Sequence, residues 1–160
     1  MKCDECGKNF PQIKVAYFDS CSIHEFDQGY KKPSVTVDAI MIKEGEILLI
    51  RRGKEPFAGL WALPGGFIDY GESAEVAVLR EVKEETNMDG IAKQFRVYST
   101  PDRDPRGHTI SIVFAVNNTY GVEKAGDDAS DVNYFPLNDL PPLAFDHRQI
   151  INDYKETRNR

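Results

Sequence analysis

Cysteine is scarce in this chain: Cys3, Cys6 and Cys21 are the only three among 160 residues. An odd count without an export signal argues against a disulfide framework. Long apolar runs are missing as well, and no stretch reaches the roughly 20 residues that cross a bilayer. The opening Met1-Lys2-Cys3-Asp4-Glu5-Cys6 lacks the apolar core of a signal peptide. A cytoplasmic location away from membranes is therefore expected. Positive charge is also short, with 20 Lys and Arg against 26 Asp and Glu and a net charge of -6. No basic excess is available to displace counterions from a nucleic-acid backbone, so no nucleic-acid partner is expected. A polyanionic substrate would have to be met by local arginines or by metal. Internal repeats and low-complexity tracts are absent too.

What is present is the material of one ordinary domain, with 41% apolar and 29% charged residues. Residues 1–30 hold all the cysteines and few periodic apolar positions, so they read as a separate N-terminal segment. Lys31-Lys32-Pro33 is the junction to a second domain over residues 31–160. Ser34 to Ile42 and Glu46 to Arg52 have strand composition and are joined by Lys43-Glu44-Gly45, which predicts a hairpin. Gly53 to Gly66 is rich in Gly and Pro and reads as a loop. Ser73 to Thr86 is free of both, which predicts a helix with Ser73 as N-cap and Glu75 in the first turn. Strands are expected at Phe95–Thr100, Thr109–Asn117 and Asp131–Pro136, and a terminal helix at Phe145–Arg158 with Ile150, Ile151 and Tyr154 buried. This mixture of strands with a central and a terminal helix predicts an α/β sandwich.

The central helix carries Arg80-Glu81-Val82-Lys83-Glu84-Glu85. Glu81, Glu84 and Glu85 stand at i, i+3 and i+4, on one helical face. Like charges so placed repel, and a hard divalent cation would remove that cost. Mg²⁺ takes oxygen ligands and keeps several waters, which suits one or two carboxylates plus substrate phosphates. A bare Glu-x-x-Glu-Glu is more often a solvated acidic face. Three further features weigh against that reading here. Gly66 precedes the helix, Glu72 follows six residues later, and Arg80 adjoins the acids where its guanidinium can orient one.

These residues resemble the Nudix box, G-x5-E-x7-R-E-U-x-E-E-x-G-U with U apolar. The match falls on Gly66, Glu72, Arg80, Glu81, Val82, Glu84, Glu85 and Met88. Asn87 stands where the family has glycine. That glycine ends the helix in the left-handed region, where Asn is the next most tolerant residue. The resemblance implies a Nudix-type α/β/α sandwich with a mixed sheet and a catalytic loop-helix-loop, and a pyrophosphohydrolase activity. It implies Glu81 and Glu85 as main ligands of Mg²⁺ (or Mn²⁺), Glu84 as a further ligand or base, and Glu72 as a metal or supporting residue. Arg80 would hold Glu81 or Glu85 in place, and Gly65 and Gly66 would offer backbone to metal or phosphate. The base stays open between Glu84 and an acid on a loop such as Asp127 or Asp128, a pair that also reads as a solvated turn.

Over residues 34–155 the chain further resembles the ADP-ribose pyrophosphatases. The carriers are Trp61 to Phe67, Arg103-Asp104-Pro105-Arg106-Gly107-His108 and Leu143-Ala144-Phe145-Asp146-His147. Pro101 and Pro105 bracket the place of a proline that marks ADP-ribose hydrolysis in the family. Arg103, Arg106 and His108 cluster positive charge on one loop, and Arg51 and Arg52 end a strand that could reach the same anion. The same loop also reads as a turn whose arginines pair with Asp102 and Asp104. The expected reaction is ADP-ribose to AMP and ribose 5-phosphate. Two alternatives remain: a sensor that binds ADP-ribose without turnover, and a sanitising hydrolase of oxidised nucleotide triphosphates. A homodimer is expected by resemblance alone.

In the N-terminal segment, Cys3-x2-Cys6-Gly7 resembles a zinc knuckle, and Cys21-x2-His24 offers a second pair. Cys₃His is an accepted tetrahedral zinc set, so a structural zinc is expected there, against a degenerate ribbon with free thiols.

Overall fold

The computed structural model describes residues 32–126 and 129–158. The zinc candidates Cys3, Cys6, Cys21 and His24, the junction at residue 31 and the base candidates Asp127 and Asp128 lie outside the described residues.

The first strand, β1 (Ser34–Ile40), is buried from Thr36 onward on both faces. A short β2 (Ile42–Lys43) pairs with β3 (Glu46–Arg52) through a two-residue turn. Glu44 and Gly45 both adopt positive φ, 53° and 85°, which gives the turn the twist a tight hairpin needs. The Gly/Pro-rich loop holds two short strands, β4 (Trp61–Ala62) and β5 (Gly65–Phe67). The carboxylate helix α1 spans Ala74–Thr86, with the Ser73 hydroxyl accepting the Val76 N–H at its start. Asn87 ends it at φ 59°, and its N–H donates to the Lys83 carbonyl. The departure from glycine is thus accommodated in the left-handed region itself.

Strand β6 (Met88–Tyr98) follows at once, then β7 (Thr109–Gly121), β8 (Ala129–Pro136) and helix α2 (His147–Arg158). One four-stranded sheet has the order β5-β1-β7-β6, with β1 and β7 parallel and the other pairs antiparallel. In the second, β3 pairs antiparallel with β2, β4 and β8.

Alternation along the strands divides the core between the helices. Val37, Ala39, Leu48, Phe114 and Val116 pack with Ala77, Val78 and Val82 of α1. Ile40, Ile47, Leu49 and Val113 pack with Ile150 and Ile151 of α2. Strands covered on both faces read as continuous apolar runs, as Ile47 to Ile50 of β3 does. The result is the expected α/β/α sandwich with a mixed sheet. Among the described residues no helix is long and apolar enough to cross a membrane.

Several boundaries differ from the sequence reading, most by a few residues. The strand expected to start at Phe95 starts at Met88, directly after the helix. The terminal helix begins at His147 rather than Phe145, because Phe145 sits at φ 50°, outside helical space. The Asp146 carbonyl takes the first helical N–H groups, those of Gln149 and Ile150.

Candidate active site

The site is assembled where β5 meets α1. Gly65 and Gly66 lie in register with Asp38 and Val37 of β1. The Gly65 N–H donates to Glu85 Oε2 at 2.9 Å. A Cβ on Gly66 would collide with the Glu81 carboxylate, and one on Gly65 with the Val37 carbonyl. Both glycines are needed for close approach, the first to an acid and the second to backbone.

Arg80 organises the acids. Its Nη2 donates to Glu72 Oε1 at 2.6 Å and its Nε to Glu72 Oε2 at 3.2 Å. Its Nη1 reaches Glu81 at 2.8 Å and Glu84 at 3.2 Å, and Nη2 also bonds the Phe67 carbonyl. Glu72 takes the Asp69 N–H besides, so both its oxygens are engaged. The Arg80 hydrogen bonds hold the Glu72 carboxyl below its ordinary value.

The other two inner acids behave oppositely. Glu85 is only 8% exposed, and burial pushes its carboxyl up to about 8. Burial likewise raises Glu81, against the opposing pull of Arg80. Glu84 is the most open of the three helix acids, with its side chain 41% exposed against 14% for Glu81. Among the described residues no three acidic, histidine or cysteine side chains converge as a ready metal cage. Glu72, expected as a metal or supporting residue, has both oxygens bonded to Arg80. The donor chemistry nevertheless fits a hard cation. Two desolvated carboxylates one helical turn apart would gain from neutralisation, and Mg²⁺ needs only one or two.

These acids open onto a cleft of about 560 Å³, lined also by Gly65, Gly66, Arg52, Arg106, Phe67 and Thr36. A smaller recess adjoins it, lined by Asp38, Leu63, Phe145, His147 and Arg103. The arginines expected to bind phosphate separate into groups. Arg106 donates to Asp104 through Nε and Nη2, at 3.0 and 2.7 Å. Its guanidinium stands 5.0 Å from the Phe67 ring centre and 5.5 Å from that of Phe145. Burial works against the Asp104 charge, yet the Arg106 hydrogen bonds outweigh it and lower the carboxyl. Arg52 donates to the Pro56 carbonyl and lies over Phe145. Arg103 is spent on Asp146, at 2.8 and 2.6 Å, with its side chain 5% exposed. Arg51 bonds the Gly59 carbonyl and His108 the Ser99 carbonyl, and neither lines the cleft.

Sequence reasoning did not single out Asp38, Phe67, Phe145 or His147 as site residues. Three of them lie in two of the three runs that carry the ADP-ribose pyrophosphatase resemblance, whereas Asp38 is hidden inside a strand.

Comparison with known proteins agrees with this geometry. The NUDIX domain model matches residues 32–154. The ADP-ribose pyrophosphatase of Methanocaldococcus jannaschii is 54% identical over 131 residues, 81% of this chain and 78% of that protein. The NUDIX domain of Shewanella oneidensis NrtR, solved with ADP ribose, is 33% identical with a TM-score of 0.74, covering 89% of this chain and 95% of that one. A bifunctional NMN adenylyltransferase/ADP ribose pyrophosphatase from Francisella tularensis, solved with AMP and a Mn ion, is 34% identical with a TM-score of 0.73. The match covers 85% of this chain and 45% of that longer protein.

Proposed function

The chain belongs to the Nudix hydrolases, and we propose that it splits the pyrophosphate of ADP-ribose into AMP and ribose 5-phosphate with Mg²⁺ as cation. The observation that carries this reading is the single cleft in which desolvated Glu81 and Glu85 share the lining with Arg52 and Arg106. A pyrophosphate brings negative charge to both sets of groups. The arginines meet its oxygens directly, whereas the carboxylates can approach it only through a cation.

In this reading Glu81 and Glu85 hold the cation. Arg80 and Glu72 fix where those carboxylates stand. When bound, the cation draws charge from the phosphates and makes an attacking water more acidic. Arg106 keeps its fork on Asp104 and its plane against Phe67 and Phe145, so it meets phosphate oxygens with little conformational freedom left to lose. Glu84 accepts the proton of the attacking water. The water oxygen bonds to one phosphorus, the bridging P–O bond breaks, and the bridging oxygen leaves with the other phosphate. Phe67 and Phe145 give the cleft aromatic walls that suit a nucleoside.

The test is incubation of the protein with ADP-ribose and Mg²⁺, with the products separated by ion-exchange chromatography. Release of AMP and ribose 5-phosphate, lost in Glu85→Gln, is expected. Preference for an oxidised nucleoside triphosphate, or tight ADP-ribose binding without turnover, would overturn the assignment.

A further inference from the structure

Behind the cleft lies a buried polar chain that the proposed chemistry does not use. His147, the first residue of α2, is 4% exposed, and its Nδ1 accepts the Leu63 N–H at 2.9 Å. Because Nδ1 accepts, the ring proton is assigned to Nε2, which stands 3.5 Å from Asp38 Oδ1. The other Asp38 oxygen accepts the Ser111 hydroxyl. Three elements far apart in sequence are thereby joined around residues 63–65, the segment that enters β5.

Three backbone groups of that segment have fixed partners. The Leu63 N–H goes to His147, the Pro64 carbonyl takes the Ala39 N–H at 2.8 Å, and the Gly65 N–H is left directed at Glu85. Leu63 and Gly65 are separated by one proline, whose locked φ transmits the setting of one neighbour to the next. Asp38 acts at both ends: its backbone pairs with Gly65 while its carboxylate faces the His147 ring. We propose that His147 is a positioning residue, which through Leu63 and with Asp38 behind it sets the Gly65 N–H that orients the Glu85 carboxylate for its cation. The inference rests on the cation-holding role proposed for Glu85.

The outer partners of a ligand commonly decide where its oxygens point, and changing them weakens metal binding without removing a ligand. Here the hydrogen-bond partner of the Glu85 carboxylate among the described residues is a backbone N–H, so what holds that backbone bears on its orientation. The Nδ1 acceptor supplies that hold from a helix otherwise engaged in the opposite core.

The experiment compares the wild-type protein with His147→Phe, His147→Asn and Ile151→Ala. Phe keeps a ring of similar size without an acceptor, whereas the Asn amide oxygen can take the place of Nδ1. Ile151 lies on the same helix in the core cluster that also holds the Leu63 side chain, but it makes no polar contact, and it controls for general loosening. Mn²⁺ affinity is read by the electron paramagnetic resonance signal of free Mn²⁺ without substrate, and Tm by calorimetry. His147→Phe is expected to weaken Mn²⁺ binding roughly tenfold, the worth of one buried hydrogen bond. It should lower kcat for ADP-ribose with KM nearly unchanged, and His147→Asn should restore most of both. The proposal is overturned if the wild type binds no Mn²⁺, or if His147→Phe binds it as well as the wild type. Equal weakening in Ile151→Ala, or no recovery in His147→Asn, overturns it too. A wild type that binds Mn²⁺ but leaves ADP-ribose intact counts against the substrate alone, since the titration still decides the positioning role.

Discussion

Arg80 grips Glu72 at two points, Nη2 to Oε1 at 2.6 Å and Nε to Oε2 at 3.2 Å, and so ties the loop before α1 to the helix itself. The remaining nitrogen reaches Glu81 and Glu84. One guanidinium thus fixes the distance between a loop carboxylate and two helix carboxylates that would otherwise repel. Burial favours the neutral form of Glu81, so the cation beside it decides how much charge survives there.

Removing that guanidinium leaves three acids facing one another. Arg80→Ala is therefore expected to lower kcat for ADP-ribose by about 10–100-fold, the usual cost of losing a partner that orients metal ligands. Arg80→Lys keeps the charge but cannot bridge Glu72 and Glu81 together, so it should recover only a small part. Steady-state kinetics over a range of Mg²⁺ concentrations would check this. Full activity of Arg80→Lys would show that charge, and not the fork, is what matters.

Gly65 and Gly66 are adjacent but should fail differently. A methyl on Gly65 meets the Val37 carbonyl, which is sheet backbone and cannot move cheaply. Gly65→Ala should thus lower Tm by several degrees, as overpacking of about 1–3 kcal/mol would. A methyl on Gly66 meets the Glu81 carboxylate, a side chain that can swing aside. Gly66→Ala should leave Tm nearly unchanged and weaken Mn²⁺ binding and turnover instead. Calorimetry beside Mn²⁺ titration separates the two, and identical profiles for both variants would contradict the argument.

How far the sequence could be read depended on how local each signal was. The helix over Ala74–Thr86, its Ser73 cap and the Glu44-Gly45 turn rest on neighbouring residues, and each was visible. The first half of β6 was not. Asp89, Gly90, Lys93 and Gln94 read as loop, and bulges between Asp89 and Ile91 and between Gln94 and Arg96 break the two-residue period. The strand exists because β7 pairs with it, which no local pattern announces. The same limit applied within the site. Arg103 and Arg106 look equivalent on one loop, yet one turns to Asp146 and the other to Asp104. Glu81, Glu84 and Glu85 looked alike as acids on one helical face, whereas the packing of β5 on α1 buries Glu85 and leaves Glu84 open. Asp38 was masked by the apolar run around it, its partners Ser111 and His147 being distant in sequence.

Buried Glu85 gives the metal-free protein an unusual pH dependence. Its carboxyl ionises near 4.5 when the chain is unfolded and near 8 when folded, because burial disfavours the charge. Between those values the folded form holds more proton than the unfolded one, so stability falls as pH rises from about 4.5 through 8. The loss is on the order of a few kcal/mol, at about 1.4 kcal/mol per pH unit. Glu85→Gln has no charge to bury and should melt higher than the wild type at pH 8 in chelator, with little difference near pH 4.5. Added Mg²⁺ should reverse the order at pH 8 by stabilising only the wild type. A chelated wild type whose Tm does not decline relative to Glu85→Gln between pH 5 and 8 would show that Glu85 stays ionised in the fold.

Arg103 and Arg106 should divide between stability and binding. The Arg103 side chain is 5% exposed and meets Asp146 in a two-point bridge. Burial opposes its charge, yet the Asp146 carboxylate more than offsets this and raises its ionisation above the ordinary value. Taking away one partner of such a pair leaves a buried charge, at a cost of about 3–5 kcal/mol. For a chain of this length that is a fall in Tm of roughly 10 °C. Arg103→Ala should thus be a folding defect, with KM for ADP-ribose little changed in the protein that remains folded. The Arg106 side chain is 41% exposed and its guanidinium lies along the cleft against Phe67 and Phe145. Screening by solvent makes its bridge to Asp104 worth less to the fold. Arg106→Ala should leave Tm within a few degrees and raise KM about tenfold or more, the worth of one charge-assisted contact to phosphate. If Arg103→Ala raised KM at unchanged Tm, the phosphate would have to be met by the arginine that the fold ties to Asp146, and the orientation of substrate in the cleft would need to be turned toward the recess lined by His147.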